Sequence, residues 1–167
     1  TLRANPYFTQ ETADFYYRNV YGNVKRTDRT PEQLFREQQA LSIVPFFDDV
    51  LGQFETVLDY GGGAGGKTAD FLKAGKDLSL YEVETTYSQY AFENGIRPHD
   101  PSARYDLVVV SHVIEHMIDP VTQMRDIIER CCAEGGLLLV ATPIIDRQRA
   151  RQWLRHFHIS HKYYFTE

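Results

Sequence analysis

Val57-Leu58-Asp59-Tyr60-Gly61-Gly62-Gly63-Ala64-Gly65-Gly66-Lys67-Thr68 is the stretch whose reading decides the fold. Residues 55–59 read as a short strand, and the glycines at 61, 62, 63, 65 and 66 end it in a tight turn. Residues 68–74 then read as a helix stopped by Gly75. A strand, a glycine turn and a helix in that order bring backbone N–H groups close to a ligand at the helix start.

The alternation continues on the C-terminal side. Residues 78–82, or 78–84, form the next strand, followed by a helical segment over 87–94 that Gly95 stops. Residues 107–110 are uniformly apolar, as in a strand buried on both faces. Asp119 and Pro120 start a helix whose expected buried stripe is Val121, Met124, Ile128 and Cys131, with Gly135 and Gly136 ending it. Residues 137–141 are again wholly apolar. Between Arg97 and Pro101 a third strand is poorly marked, because Pro98 and Pro101 interrupt it. On the N-terminal side, Thr9 caps a first helix carrying Ala13, Tyr16, Tyr17 and Val20. Thr30, Pro31 and Gln33 supply a capping box and a first-turn proline for a second, which runs until Pro45. The predicted class is α/β, a doubly wound, mostly parallel sheet with flanking helices. Its organisation is a helical lead-in over 1–52 and a core over 53–167.

Three patterns fit the glycine stretch. Gly61, Gly66, Lys67 and Thr68 spell the phosphate loop G-x-x-x-x-G-K-T, and Gly61, Gly63 and Gly66 spell the dinucleotide fingerprint. Asp59, Gly61, Gly63 and Gly65 spell acidic-x-G-x-G-x-G. A carboxylate two residues before the first glycine repels a polyphosphate. Nor does either later apolar strand end in an acid that would hold magnesium. An acid at this place suits a ligand with a cationic end.

The third pattern resembles the first motif of class I S-adenosylmethionine-dependent methyltransferases. Tyr105-Asp106-Leu107-Val108-Val109-Val110-Ser111-His112-Val113-Ile114-Glu115-His116-Met117-Ile118-Asp119-Pro120 looks like the fourth-strand motif of their small-molecule branch (types 11 and 23). Glu134-Gly135-Gly136-Leu137-Leu138-Leu139-Val140-Ala141-Thr142-Pro143 is similar to the fifth strand. The resemblance implies a Rossmann-like fold, S-adenosyl-L-methionine as cofactor, and methyl transfer to a small molecule such as a sugar or another biosynthetic intermediate. The family fold has seven strands, and this chain is expected to lack the last two. That leaves room for a cofactor-binding module without turnover, and the phosphate-loop nucleotide reading stays as a lesser alternative.

By the same resemblance, Asp59, Tyr60, Gly61, Gly63 and Gly65 surround the methionine part of the cofactor. Glu82 or Glu84 takes the ribose, with Glu84 the better match. Asp100 lies near the adenine, and Ser111 and His112 line the sulfur side. His116 and His161 are the candidate bases, since an acceptor hydroxyl needs a group of near-neutral pKa to take its proton. Tyr16, Tyr17 and Tyr21 are candidates to cover the cofactor. Arg147, Arg149, Arg151 and Arg155 form the one basic cluster, a solvated face or a seat for an anionic acceptor. His112-x-x-Glu115-His116 also matches an inverted zinc motif, but His112 directly follows a strand, and no metal is expected.

The composition fits these expectations. The 167 residues suffice for one core, 43% hydrophobic and 25% charged. A net charge of −5 disfavours nucleic acid as the main partner. No apolar run reaches the roughly 18 to 20 residues of a membrane span. Cys131 and Cys132 are adjacent and poorly placed to bridge, which fits a reducing cytoplasm.

Overall fold

The apolar run beginning at Leu107 becomes an interior strand of a sheet in the structure, a computed structural model that describes residues 2, 3, 9, 11, 12, 15, 30–144 and 163–165. The strands are β1 (Leu2–Arg3), β2 (Thr56–Tyr60), β3 (Asp77–Tyr81), β4 (Arg97–Pro98), β5 (Tyr105–Ser111), β6 (Cys132–Ala141) and β7 (Tyr163–Tyr164). The helices are α1 (Pro31–Gln39), α2 (Asp70–Lys73), α3 (Thr85–Glu93) and α4 (Pro120–Cys131). Five strands form a parallel sheet in the order β4-β3-β2-β5-β6, and β1 pairs antiparallel with β7 beside it. The chain moves outward from β2 through β3 to β4, then returns to place β5 on the other side of β2. The crevice at this reversal is where open parallel sheets bind ligands.

Two apolar clusters cover the sheet. On one face Val57, Leu78, Leu80, Leu107 and Val109 pack against Phe71, Ala91 and Ile96. Ile43 and Phe47 join the same cluster together with Phe54, so the apolar packing runs unbroken across residues 52 and 53. Phe47, Phe54 and Phe71 meet edge to face at centroid distances of 5.6 to 5.7 Å. On the other face Leu58, Val108 and Val110 pack against Met117, Ile127 and Cys131. Asp106 ties the two central strands at their lower end. Its Oδ2 accepts from the Glu55 and Thr56 N–H groups, at 2.9 and 3.0 Å.

The caps match the sequence. Thr30 and Gln33 form the reciprocal capping box at α1. Asp119 Oδ1 accepts from the Thr122 N–H at 3.2 Å at the start of α4, and Thr9 Oγ1 accepts from the Thr12 N–H at 3.3 Å. Pro98 sits in the two-residue edge strand β4, where its missing N–H costs no central ladder bond.

Three details differ from expectation. Helix α4 stops at Cys131, before the glycines, and β6 begins at Cys132. Gly135 and Gly136 lie inside β6, where its register with β5 shifts between Cys132 and Leu137. Gly135 takes φ +74° there, as an irregular strand requires. The stripe of α4 is rolled: Ile127 and Cys131 are buried, while Val121 and Ile128 are exposed. Finally, β6 lies at an edge of the described sheet, so its expected burial on both faces gives way to part exposure of Leu137, Leu138 and Val140.

Candidate functional site

Gly61, Gly63 and Gly65 adopt φ of +74°, +63° and +78°, and with this alternation the chain turns sharply off β2. The lead-in holds the turn from above. Gln38 Nε2 donates to the Gly62 carbonyl and its Oε1 accepts from the Gly66 N–H, both at 3.1 Å. Helix α1 lies so close that a Cβ at Gly66 would strike the Phe35 carbonyl oxygen.

Beneath the turn Asp59 is 2% exposed, and its Oδ2 accepts from the Thr68 hydroxyl at 2.6 Å. Burial pushes its carboxyl up to about 6, with the Thr68 bond and the Lys67 charge pulling the other way. Glu82, just past β3, reaches across to the same turn. Its Oε2 accepts from the Gly63 N–H at 2.8 Å and its Oε1 from the Glu84 N–H at 2.9 Å. Burial raises its pKa as well. Glu84 faces elsewhere: it is the N-cap of α3, its Oε2 accepting from the Tyr87 N–H at 2.8 Å. Two carboxylates, Asp59 and Glu82, therefore bear on the glycine turn.

The opposite wall comes from the end of β5. Val113 packs against Gly61, where an added Cβ would lie 2.6 Å from Val113 Cγ2. Ser111 Oγ accepts from the Lys67 Nζ at 3.1 Å. Burial lowers the Lys67 pKa, and the nearby Asp59 and Glu115 charges oppose that shift. His112 has φ +59°, a left-handed backbone costing a non-glycine residue on the order of 1 kcal/mol. Its Nδ1 lies 3.6 Å from Glu115 Oε1, the imidazole half-exposed and the carboxylate 2% exposed. Glu115 Oε2 accepts from the Thr142 hydroxyl at 3.1 Å, whereas Oε1 has no hydrogen-bond partner.

The remaining candidates fall at varied places. Tyr60 ends β2 and its ring lies against Tyr81, at a centroid distance of 4.6 Å. Asp100 is exposed and accepts from the Ser102 N–H and hydroxyl, closing a local turn. His116 ends a 3-10 turn over Ile114–His116 and is half-buried. His161, the arginine cluster and Tyr16, Tyr17 and Tyr21 lie outside the described residues. Among the described residues, no group of three or more His, Cys, Asp or Glu side chains is placed to hold a metal ion. None of the described helices is long and apolar enough to cross a membrane. Sequence reasoning did not single out Gln38, and it gave Glu115 no role beyond its place in the motif. The pairing of Gln38 with the turn spans 24 positions, and the one between Glu115 and Thr142 spans 27, so no local pattern signals either.

A parallel sheet with a glycine turn, flanking acids and a reversal crevice defines a Rossmann-like ligand-binding fold. Residues 32–167 match the methyltransferase domain family of type 23, and the chain belongs to that family. The structure is similar to magnesium protoporphyrin IX methyltransferase from Synechocystis PCC 6803 with bound SAH. That likeness has a TM-score of 0.60 at 15% identity, over 94% of this chain and 83% of that one. Human N-acetylserotonin methyltransferase in complex with SAM gives 0.56 at 22%, over 93% and 55%. The glycopeptide N-methyltransferase MtfA with sinefungin gives 0.52 at 18%, over 64% and 55%. At these identities the likeness establishes a common fold, and the chain spans 55% of the length of the last two relatives. Comparison with curated proteins gave no match.

Proposed function

We propose that this chain binds S-adenosylmethionine in the crevice between the glycine turn and Ser111–His112, and serves methyl transfer to a small-molecule acceptor. The observation that carries this reading is the pair of carboxylates bearing on the turn, Asp59 beneath it and Glu82 at its Gly63 N–H. A ligand with an ammonium and a sulfonium fits such acids, whereas a polyphosphate is repelled by them. Lys67, the cation a phosphate loop would use, is hydrogen-bonded to Ser111 instead. The family match and the SAM, SAH or sinefungin bound in similar structures support the same cofactor.

The cofactor supplies an activated methyl group; the protein's task is to bind, orient and exclude water. With a pKa of about 6, Asp59 is ionised at pH 7.5 and faces the cationic end. Glu82 is the acid offered to the ribose hydroxyls, because Glu84 is engaged in capping α3. Glu82 already accepts two N–H groups but keeps lone pairs for two hydroxyls. Gln38 keeps the turn in its binding shape. The relatives act on acceptors as unlike as a porphyrin, an acetylated amine and a glycopeptide. The acceptor class here is a sugar or another small biosynthetic intermediate.

Calorimetric titration with S-adenosylhomocysteine, with Mg-ATP and NAD as controls, tests the cofactor. Micromolar binding of the first alone is the expected result. Binding of ATP or NAD in its place overturns the reading.

A further inference from the structure

Lys67 sets a positive charge inside a site whose acids suit a cationic ligand, and that contradiction calls for a physical reason. The residue directly follows the glycine turn, and its Nζ donates to Ser111 Oγ at 3.1 Å, so the side chain spans from the turn to the last residue of β5. These are the two walls of the crevice, and Val113 closes against Gly61 beside them. Lys67 is half-buried; burial lowers its pKa, while the Asp59 and Glu115 charges raise it. Both acids are 2% exposed. This end of the site therefore holds two buried carboxyls and one partly buried ammonium within electrostatic reach of each other. The charge of Lys67 is not consumed by either acid, since its hydrogen-bond partner among the described residues is the neutral Ser111 hydroxyl. An ammonium carries three donors, so two are left for a ligand. A partly desolvated cation held by a hydroxyl lacks a counter-ion in contact, and a ligand bringing only positive charge would worsen its position.

We infer that Lys67 is the seat of the cofactor's α-carboxylate, and so the residue by which the site selects a nucleoside that carries an amino-acid tail. The inference rests on the S-adenosylmethionine reading and deepens it. An α-amino acid presents a carboxylate and an ammonium on the same carbon, and a site matches it only by offering both signs within a short distance. Acids alone would favour a decarboxylated, wholly cationic analogue over the intact cofactor. With Lys67 present the order reverses: the acids serve the ammonium and the sulfonium, and the lysine serves the carboxylate. Ser111 holds Nζ at the end of β5, so the ammonium is placed before the ligand arrives. Lys67 takes no part in the transfer of the methyl group; it decides what is bound.

Calorimetry with S-adenosylhomocysteine and its decarboxylated analogue, which differ by the carboxylate alone, reads this contact directly. The wild type is expected to bind the intact compound at least about tenfold more tightly, the size of one charge-assisted hydrogen bond. Lys67→Met keeps the aliphatic stem and removes the charge. In that variant the two compounds should bind within about threefold of each other, through a loss for S-adenosylhomocysteine. Equal affinities in the wild type overturn the inference, and that comparison decides even where Lys67→Met does not fold. A preference for the carboxylate that Lys67→Met leaves intact overturns it as well. So does tighter binding of S-adenosylhomocysteine by Lys67→Met than by wild type, which would make the lysine an obstacle to the cofactor. Binding of neither compound by the wild type sinks the S-adenosylmethionine reading and this inference with it. Binding of both without a preference sinks the role of Lys67 alone and leaves that reading standing.

Discussion

Burial lifts the Asp59 carboxyl from 3.8 to about 6, and this shift carries a stability consequence of definite sign. Between these values the unfolded chain has released the proton while the folded chain still holds it. Stability therefore falls as pH rises from about 4 to about 6 and is level above that. The accumulated cost is on the order of 3 kcal/mol, at about 1.4 kcal/mol per pKa unit. Asp59→Asn removes it. The ligand-free variant should melt several degrees higher than wild type at pH 7.5, with the gain vanishing near pH 4, and should lose S-adenosylhomocysteine binding. Scanning calorimetry at the two pH values checks the first part; an Asn variant that melts lower at pH 7.5 would contradict it. Gly66 makes the opposite kind of prediction. A Cβ there meets the Phe35 carbonyl, a backbone atom that cannot rotate away. Gly66→Ala should cost about 2 to 4 kcal/mol by urea unfolding, where the exposed Gly52, with open space around it, should tolerate the same change within about 1 kcal/mol.

Helix α1 shows how an element-level signal becomes a site-level one. Its capping box was legible in the sequence because Thr30, Pro31 and Gln33 act within one turn. Thr30→Ala should cost about 1 kcal/mol. Since α1 carries Gln38 to the glycine turn, the same substitution should also weaken S-adenosylhomocysteine binding about two- to fivefold by calorimetry. Unchanged affinity would mean that the helix end and the turn are uncoupled. The start of α4 was legible for the same local reason, through Asp119 and Pro120. Its buried face was not, because Val121, Ile128, Ile127 and Cys131 offer two overlapping stripes and tertiary contact chooses between them. Glu82 and Glu84 posed a similar ambiguity. Both follow the same strand, and only the start of α3 at Thr85 makes one of them a cap.

At the scale of the whole molecule, the parallel sheet with its flanking helices followed from alternating apolar strands and helices, since few architectures satisfy that pattern. Proline-interrupted β4 and the surroundings of β6 did not follow, because each depends on neighbours distant in sequence. Among the described residues β6 has a partner strand on one side only, with Leu138 and Val140 more than a third exposed. An apolar edge strand is a surface for self-pairing. Light scattering should therefore show self-association of this chain as its concentration rises, and Leu138→Lys should reduce it; a monomer at every concentration would remove the basis for that expectation. The clasp between Gln38 and the glycine turn joins filling of the crevice to retention of residues 30–53. Arg36, with its side chain 75% exposed on α1, is a natural point of tryptic attack once that helix loosens. Digestion at Arg36 should slow when S-adenosylhomocysteine is added. In a living cell the lifetime of the protein would then follow the supply of methyl donor, with scarcity marking the idle molecule for turnover.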